Sequence, residues 1–196
     1  MQAVNNGPPA MTVPARAPHM MRDTARCAAH FGVPIAGAPA NFGAGFSTTP
    51  AMRLLAAAAE QWGGDSERLV ALARALYAYS WGRLGAGKEV NFDAALLTEA
   101  CDKAGLNVAE ANALVAASAA DEAKAALRAT TDEAVALGAY GVPWIVVRPP
   151  LRRAPPRGAG KPGEPMCFFG SDRFEQIAFL LGERWDGPRG PALAKL

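Results

Sequence analysis

A Gly-Val-Pro motif in the C-terminal third of the chain has the residue types of a backbone peptide-binding turn. Gly141-Val142-Pro143 lies between a predicted helix and a predicted strand. A cis bond before the proline would turn the backbone N–H and C=O of Val142 outward, where they can pair with an extended peptide. Val142 would then contribute its main chain rather than its side chain. Because Gly-x-Pro is also a common turn signal, an ordinary turn is the alternative.

A second motif, Gly170-Ser171-Asp172, directly precedes the last predicted helix. The free N–H groups and the positive dipole end of a helix start attract a carboxylate. Ser171 could add a hydroxyl and Asp172 could pair with an ammonium. Together these groups match the amino-acid end of a γ-glutamyl peptide. The alternative is simple helix capping, and Asp172-x-x-Glu175 has the spacing of a capping box.

Composition limits the classes of function. The chain has 196 residues, of which 51% are hydrophobic and 19% charged, with a net charge of +2. This composition predicts one soluble domain, or one domain with an insertion, and gives no strong field for nucleic acid. No apolar run is long enough for a membrane span. The three cysteines form no C-x-x-C pair, and neither His19 nor His30 has metal-ligand spacing. We therefore expect no metal, no nucleic-acid partner and no membrane partner.

The chain divides into a helical block and a mixed C-terminal part. Alanine-rich amphipathic segments predict five helices, Pro50 to Trp62, Ser66 to Leu84, Asp93 to Ala104, Val108 to Ala117 and Asp121 to Ala129. Thr130-x-x-Glu133 predicts a separate short helix that ends at Gly138. Strands are predicted at Trp144 to Val147 and Met166 to Phe169, with Cys167 buried by the pattern. A last helix would end at Gly182.

Residues 148–165, between the two predicted strands, are rich in proline and arginine. A proline-rich ligand or an anionic docking patch is one interpretation. A disordered hairpin insertion with solvated charge is the interpretation that we favour.

The segment from Gly170 to Pro188 resembles kappa-class glutathione transferases. The same resemblance extends over nearly the whole chain, in order, through Asn6 to Pro9, Pro50 to Leu55, Lys103 to Leu106, Thr130 to Ala134 and Gly138 to Pro143. The wider group includes 2-hydroxychromene-2-carboxylate isomerases and DsbA-type thioredoxin folds. The resemblance implies an α/β, thioredoxin-like fold interrupted by an all-helical subdomain. Residues 1–46 would be a remnant of the thioredoxin-like part and a connection, 47–129 the helical insertion, and 130–196 the C-terminal half of the thioredoxin-like domain.

The resemblance also implies binding residues and partners. Asn6, the main chain of Val142, and the Ser171-Asp172 pair would contact glutathione, which is the co-substrate. Arg16 is a weaker candidate for a carboxylate contact. A small electrophile would be the second substrate, and the chain would form a homodimer.

The chain departs from the family pattern at its start. Members begin with a strand, a helix and a strand, and a serine opening that helix favours the glutathione thiolate. We expect this segment, with the catalytic serine, to lie upstream of Met1 in a complete sequence, so no catalytic residue is assigned here. Four other serines lie in or beside the helical block: Ser47, Ser66, Ser80 and Ser118.

The function expected from the resemblance is conjugation of glutathione to small electrophiles. A glutathione-dependent hydroxychromene carboxylate isomerase is one alternative, and a non-catalytic glutathione-binding or dimerisation module is another. The C-terminal Ala194-Lys195-Leu196 is similar to the peroxisomal Ser-Lys-Leu signal. We therefore expect a peroxisomal protein, with mitochondria or the cytoplasm as alternatives.

Overall fold

The computed structural model describes residues 14–42, 45–64, 66–155, 157–158, 160–161 and 163–187. Its helices are α1 (Arg16–Phe31), α2 (Thr49–Trp62), α3 (Glu67–Ser80), α4 (Ala94–Lys103), α5 (Val108–Ala119), α6 (Asp121–Ala136) and α7 (Phe174–Leu181). Its strands are β1 (Trp144–Val147) and β2 (Met166–Phe169), and a 3₁₀ turn, Ser171–Arg173, directly precedes α7.

Backbone contacts divide the chain into two units. The first, called the helical unit, is Ala25–Thr131. The second, called the hairpin unit, joins the described residues of Met1–Thr24 to those of Asp132–Leu196. Within the described residues, no helix is both long enough and apolar enough to cross a membrane.

The core of the helical unit forms where α2 and α4 each pack against both α3 and α5. Leu54 of α2, Leu72 of α3 and Leu114 of α5 are fully buried there, and Cys101 of α4 is buried among them. Alanines at several other inward positions let the helices approach closely, because a methyl group fills little space. The predicted helical block is therefore present, with a leucine and alanine core.

Side-chain caps fix where three of these helices begin. Ser66, Asp93 and Asn107 each accept a hydrogen bond from the backbone N–H three residues later, which satisfies a donor that lacks a helical partner. The predicted starts of α3 and α4 are thus confirmed. Helix α3 ends at Ser80 rather than Leu84, because the chain turns at Gly82 and Gly85, where an added Cβ would collide with the backbone.

Helix α6 corrects one prediction. The sequence predicted one helix ending at Ala129 and a second opened by a Thr130-x-x-Glu133 capping box, but Asp121–Ala136 is a single helix. The Thr130 and Thr131 hydroxyls donate to the carbonyls of Ala126 and Leu127, four residues earlier. A threonine within a helix can donate its hydroxyl hydrogen bond to such a carbonyl, so neither threonine acts as a helix cap. The segment also has no glycine or proline to interrupt it.

The hairpin unit contains the predicted pair of strands. β1 and β2 are antiparallel, with Trp144 opposite Phe169 at one end and Val147 opposite Met166 at the other. Val147 and Met166 are buried, as are Ile177 and Leu180 of α7. Helix α7 ends at Gly182, which adopts the left-handed conformation that favours glycine.

The segment between the strands differs from our expectation at its base. The Arg153 N–H donates to the Leu180 carbonyl at 3.1 Å. The Arg148 guanidinium lies 2.7 Å from the Glu133 carboxylate. These contacts fix residues that we expected to be disordered with solvated charge.

An ion pair and a capping box share one carboxylate in the helical unit. Glu110 Oε2 accepts a hydrogen bond from the Asn107 N–H at 3.0 Å, and Glu110 Oε1 lies 2.7 Å from the Arg68 guanidinium. The hydrogen bond from Asn107 and the charge of Arg68 lower the pKa of Glu110 below its usual value. A lowered folded-state pKa stabilises the protein above the unfolded pKa, and this stabilisation is lost as the pH falls.

We predict that Glu110→Gln lowers the midpoint of thermal unfolding near neutral pH and that the difference from wild type disappears as the pH falls below the usual pKa range of a glutamate. Glutamine still accepts the Asn107 hydrogen bond but cannot carry the charge. Circular dichroism melts over this pH range measure the effect. Glu122→Gln is the control, because within the described residues Glu122 has no ion pair. A pH-independent difference for Glu110→Gln would contradict the prediction.

Candidate ligand-binding site

The Gly141-Val142-Pro143 turn has the geometry that the peptide-binding hypothesis requires. The Val142–Pro143 bond is cis. Val142 is 78% exposed. Among the described residues, no backbone hydrogen bond involves the N–H or the carbonyl of Val142. Both groups are therefore open to an extended ligand.

A single backbone hydrogen bond joins the two sequence motifs. The Gly170 N–H donates to the Pro143 carbonyl at 3.1 Å, next to the last strand pair between Trp144 and Phe169. The Val142 turn and the Ser171-Asp172 segment consequently lie at the same end of the hairpin. Residues far apart in sequence are thus brought together as one candidate site.

The helix start beside this turn carries free donors. Gly170 has a φ of +101°, which directs the chain from β2 into the 3₁₀ turn. The first N–H groups of a helix have no intrahelical partner and lie at the positive end of the helix dipole. This end of the hairpin therefore suits a ligand carboxylate.

The predicted capping box at Asp172-x-x-Glu175 is wrong. Because a 3₁₀ turn comes first, the residue in the N-cap position of α7 is Arg173, which has no side-chain acceptor. The Asp172 carboxylate instead pairs with the Arg173 guanidinium at 3.1 Å, and the Asp172 side chain is 71% exposed. An exposed ion pair of this kind contributes only about 0–1 kcal/mol. The carboxylate is thus accessible to a ligand ammonium, and Ser171 is exposed beside it.

Aromatic rings support the Val142 turn. The Tyr140 ring lies 4.8 Å from the Phe169 ring and 5.5 Å from the Trp144 ring. Gly141 is buried against Phe169, and a Cβ at Gly141 would lie only 2.7 Å from the Phe169 ring. Sequence reasoning treated Gly141 as a turn residue and missed this close contact. Tyr140 directly precedes the motif, and this position is the sequence signal that could have indicated its contact with the turn.

Asn6 and Arg16 are the two other residues that the sequence analysis proposed for contact with the ligand. Asn6 lies outside the described residues. Arg16 is the first residue of α1 and is exposed.

The serines of the helical unit have structural contacts. Ser66 caps α3, and the Ser80 and Ser118 hydroxyls donate to the Leu76 and Val115 carbonyls within their own helices. The Ser47 hydroxyl accepts from the Thr49 N–H at 3.4 Å, just before α2. These contacts explain the four serines without a catalytic role.

The cysteines differ in exposure. Cys101 is buried, and burial raises the pKa of its thiol. Cys167 was expected to be buried but is exposed, because its side chain alternates with that of buried Met166 on β2. Cys27 on α1 is exposed as well. Within the described ranges, no group of three His, Cys, Asp or Glu residues could hold a metal ion.

Comparison with known proteins defines the class. The family of DsbA-like thioredoxin domains matches residues 1–182. A thioredoxin-like fold with a helical insertion, which the sequence predicted, is thereby confirmed.

Comparisons with individual proteins define the family. Glutathione S-transferase kappa 1 of Rattus norvegicus is 32% identical over 195 residues, which are 98% of this chain and 77% of the rat protein. Glutathione S-transferase kappa 1 of Caenorhabditis elegans is 32% identical over 183 residues, or 92% of this chain and 72% of the nematode protein. The Homo sapiens protein of the same name is 34% identical over 113 residues, 58% of this chain and 45% of the human protein. The chain belongs to the kappa class of glutathione S-transferases.

We predict that Gly170→Ala destabilises the protein by about 1–3 kcal/mol, because alanine is strained at a positive φ and its Cβ would collide with the Asp172 carboxylate. Urea unfolding followed by circular dichroism measures this change. Gly64→Ala is the control, since nothing lies within 4 Å of its added Cβ and its φ is not in the strained range. Equal stability of the two variants would contradict the prediction.

Proposed function

We propose that this chain is a kappa-type glutathione transferase that joins glutathione to small electrophiles and works as a homodimer. The observation that supports the proposal is the Gly170–Pro143 hydrogen bond, which joins the exposed Val142 turn to a helix start with an accessible carboxylate. Membership of the kappa class supports the same activity.

Each part of glutathione has a complementary group in this proposal. The main chain of Val142 pairs with the backbone of the central cysteinyl residue. Asp172 pairs with the ammonium of the γ-glutamyl end, and the N–H groups before α7, with the Ser171 hydroxyl, hold its carboxylate. Asn6 is retained as a further contact on sequence grounds. Arg16 is kept as a weaker candidate for a glutathione carboxylate.

The reaction needs the thiolate of glutathione. The thiol proton leaves to solvent, the sulfur bonds to the electrophilic carbon, and the leaving group departs with its bonding electrons. We assign no catalytic residue within these 196 residues. The residues assigned here bind and orient the co-substrate.

We predict that Asp172→Ala weakens glutathione binding by about 1–3 kcal/mol, the loss of one charge-assisted contact. Isothermal titration calorimetry on the chain measures the affinity. S-methylglutathione should be weakened equally, because the contact lies at the γ-glutamyl end. Asp186→Ala is the control for the loss of an arginine-paired carboxylate, since Asp186 pairs with Arg184 in the hairpin unit at 2.6 Å.

Unchanged affinity of Asp172→Ala would remove Asp172 from the site, and absence of glutathione binding by the wild-type chain would contradict the proposed function. Turnover separates the alternatives. Conjugation of chlorodinitrobenzene supports the transferase, turnover of a hydroxychromene carboxylate alone supports the isomerase, and binding without turnover supports a non-catalytic module.

We also propose that the protein is imported into peroxisomes through Ala194-Lys195-Leu196. A fluorescent protein fused to the N-terminus of the chain should co-localise with a peroxisomal marker, and removal of Leu196 should release it into the cytoplasm. Mitochondrial fluorescence, or punctate fluorescence that persists without Leu196, would contradict the proposal.

A further inference from the structure

The segment between β1 and β2, residues 148–165 and here called the basic loop, concentrates positive charge. It contains five of the 20 basic residues of the chain and one of the 18 acidic residues, so its own net charge is +4 while that of the whole chain is +2. It also contains six of the 16 prolines. A loop longer than about 15 residues between two paired strands is uncommon and usually has a function of its own or is disordered.

The basic loop lies away from the proposed glutathione site. It leaves β1 after Val147 and enters β2 at Met166, whereas the site adjoins the opposite end of the hairpin, where Trp144 pairs with Phe169. An interaction of the loop can therefore be tested without changing the glutathione-binding residues.

Contacts with α7 hold the start of the loop in place. Besides the Arg153 N–H bond to Leu180, the Arg153 guanidinium lies 4.3 Å from the centre of the Phe179 ring. The Arg152 side chain packs against Gly182, where an added Cβ would come within 3.0 Å of it. The two arginines are thus presented by an anchored backbone, which lowers the entropy lost when they bind a partner.

The cations of the loop are accessible. The Arg152 side chain is 74% exposed and reaches Glu183 only at 4.0 Å, and the Lys161 side chain is 82% exposed. Such exposed ion pairs contribute little to stability, so a carboxylate of a ligand can replace the acidic partner of each cation. Arginine binds a carboxylate through two parallel hydrogen bonds, which makes a carboxylate-rich ligand the chemical match.

The neighbouring acidic residues favour a narrow ligand. Glu175 lies on the same face of α7 as Phe179, because residues four apart lie on the same side of a helix, and Glu183 follows the end of α7, 4.0 Å from Arg152. Their charges would repel a broad anionic surface such as a membrane, but not a peptide that contacts the loop alone. We propose that the basic loop docks an acidic segment of a partner protein.

Binding of a fluorescein-labelled oligoglutamate peptide, followed by fluorescence anisotropy, tests the proposal. The variant Arg152→Gln/Arg157→Gln/Lys161→Gln should bind at least about ten-fold more weakly than wild type. The control variant Arg22→Gln/Arg74→Gln/Arg83→Gln removes the same charge from exposed positions elsewhere and should bind as wild type does. Affinity should fall as salt is raised, because the contacts are ionic.

Three results would overturn the proposal: no oligoglutamate binding by wild type at low salt, equal losses in both variants, or binding only to vesicles of phosphatidylserine and phosphatidylcholine. Equal losses would mean that net charge alone attracts the peptide. Circular dichroism and glutathione titration of the loop variant check that the fold and the proposed site are unchanged.

Discussion

The candidate site depends on the hydrogen bond from the Gly170 N–H to the Pro143 carbonyl. Without it, the cis-proline turn and the start of the last helix would be two unrelated features of the chain. The bond requires that β1 and β2 pair in the observed register, in which Trp144 lies opposite Phe169. A shift of one residue would separate Gly170 from Pro143, and it would also turn every side chain of the shifted strand to the opposite face. Burial of Val147 and Met166 at the other end of the hairpin favours that register. Apolar packing at one end therefore positions polar groups at the other.

Elements with strong local signals could be predicted from the sequence. Ser66 and Asp93 cap helices because their short side chains can accept a hydrogen bond from the free N–H groups of the first turn. Gly182 was predictable as the end of α7 because glycine favours the left-handed conformation that ends many helices. Two capping-box predictions failed because the pattern does not say whether a competing acceptor or a 3₁₀ turn is present. The Thr130 hydroxyl donates to a carbonyl within its own helix, and the Asp172 carboxylate pairs with the Arg173 guanidinium.

The site was predictable in part. The residue types of Val142, Ser171 and Asp172 indicated which atoms could bind a γ-glutamyl peptide, but spacing along the chain could not show that the two motifs share one end of the hairpin. That knowledge needs the strand register, which is a tertiary property. The exposure of Cys167 shows the same limit, because an apolar four-residue strand does not reveal which of its faces is covered.

The packing of Gly141 against the Phe169 ring has a genetic consequence. Every single-base change that converts a glycine codon into another amino acid adds a Cβ, and the Phe169 ring would have to move to make room for that atom beneath the Val142 turn. A missense change at codon 141 therefore displaces the Phe169 ring, whereas the exposed side chain of Val142 can vary without displacing a neighbour. Variation in a population should be lower at Gly141, which the ring covers, than at Val142, whose main chain is the part proposed to bind glutathione.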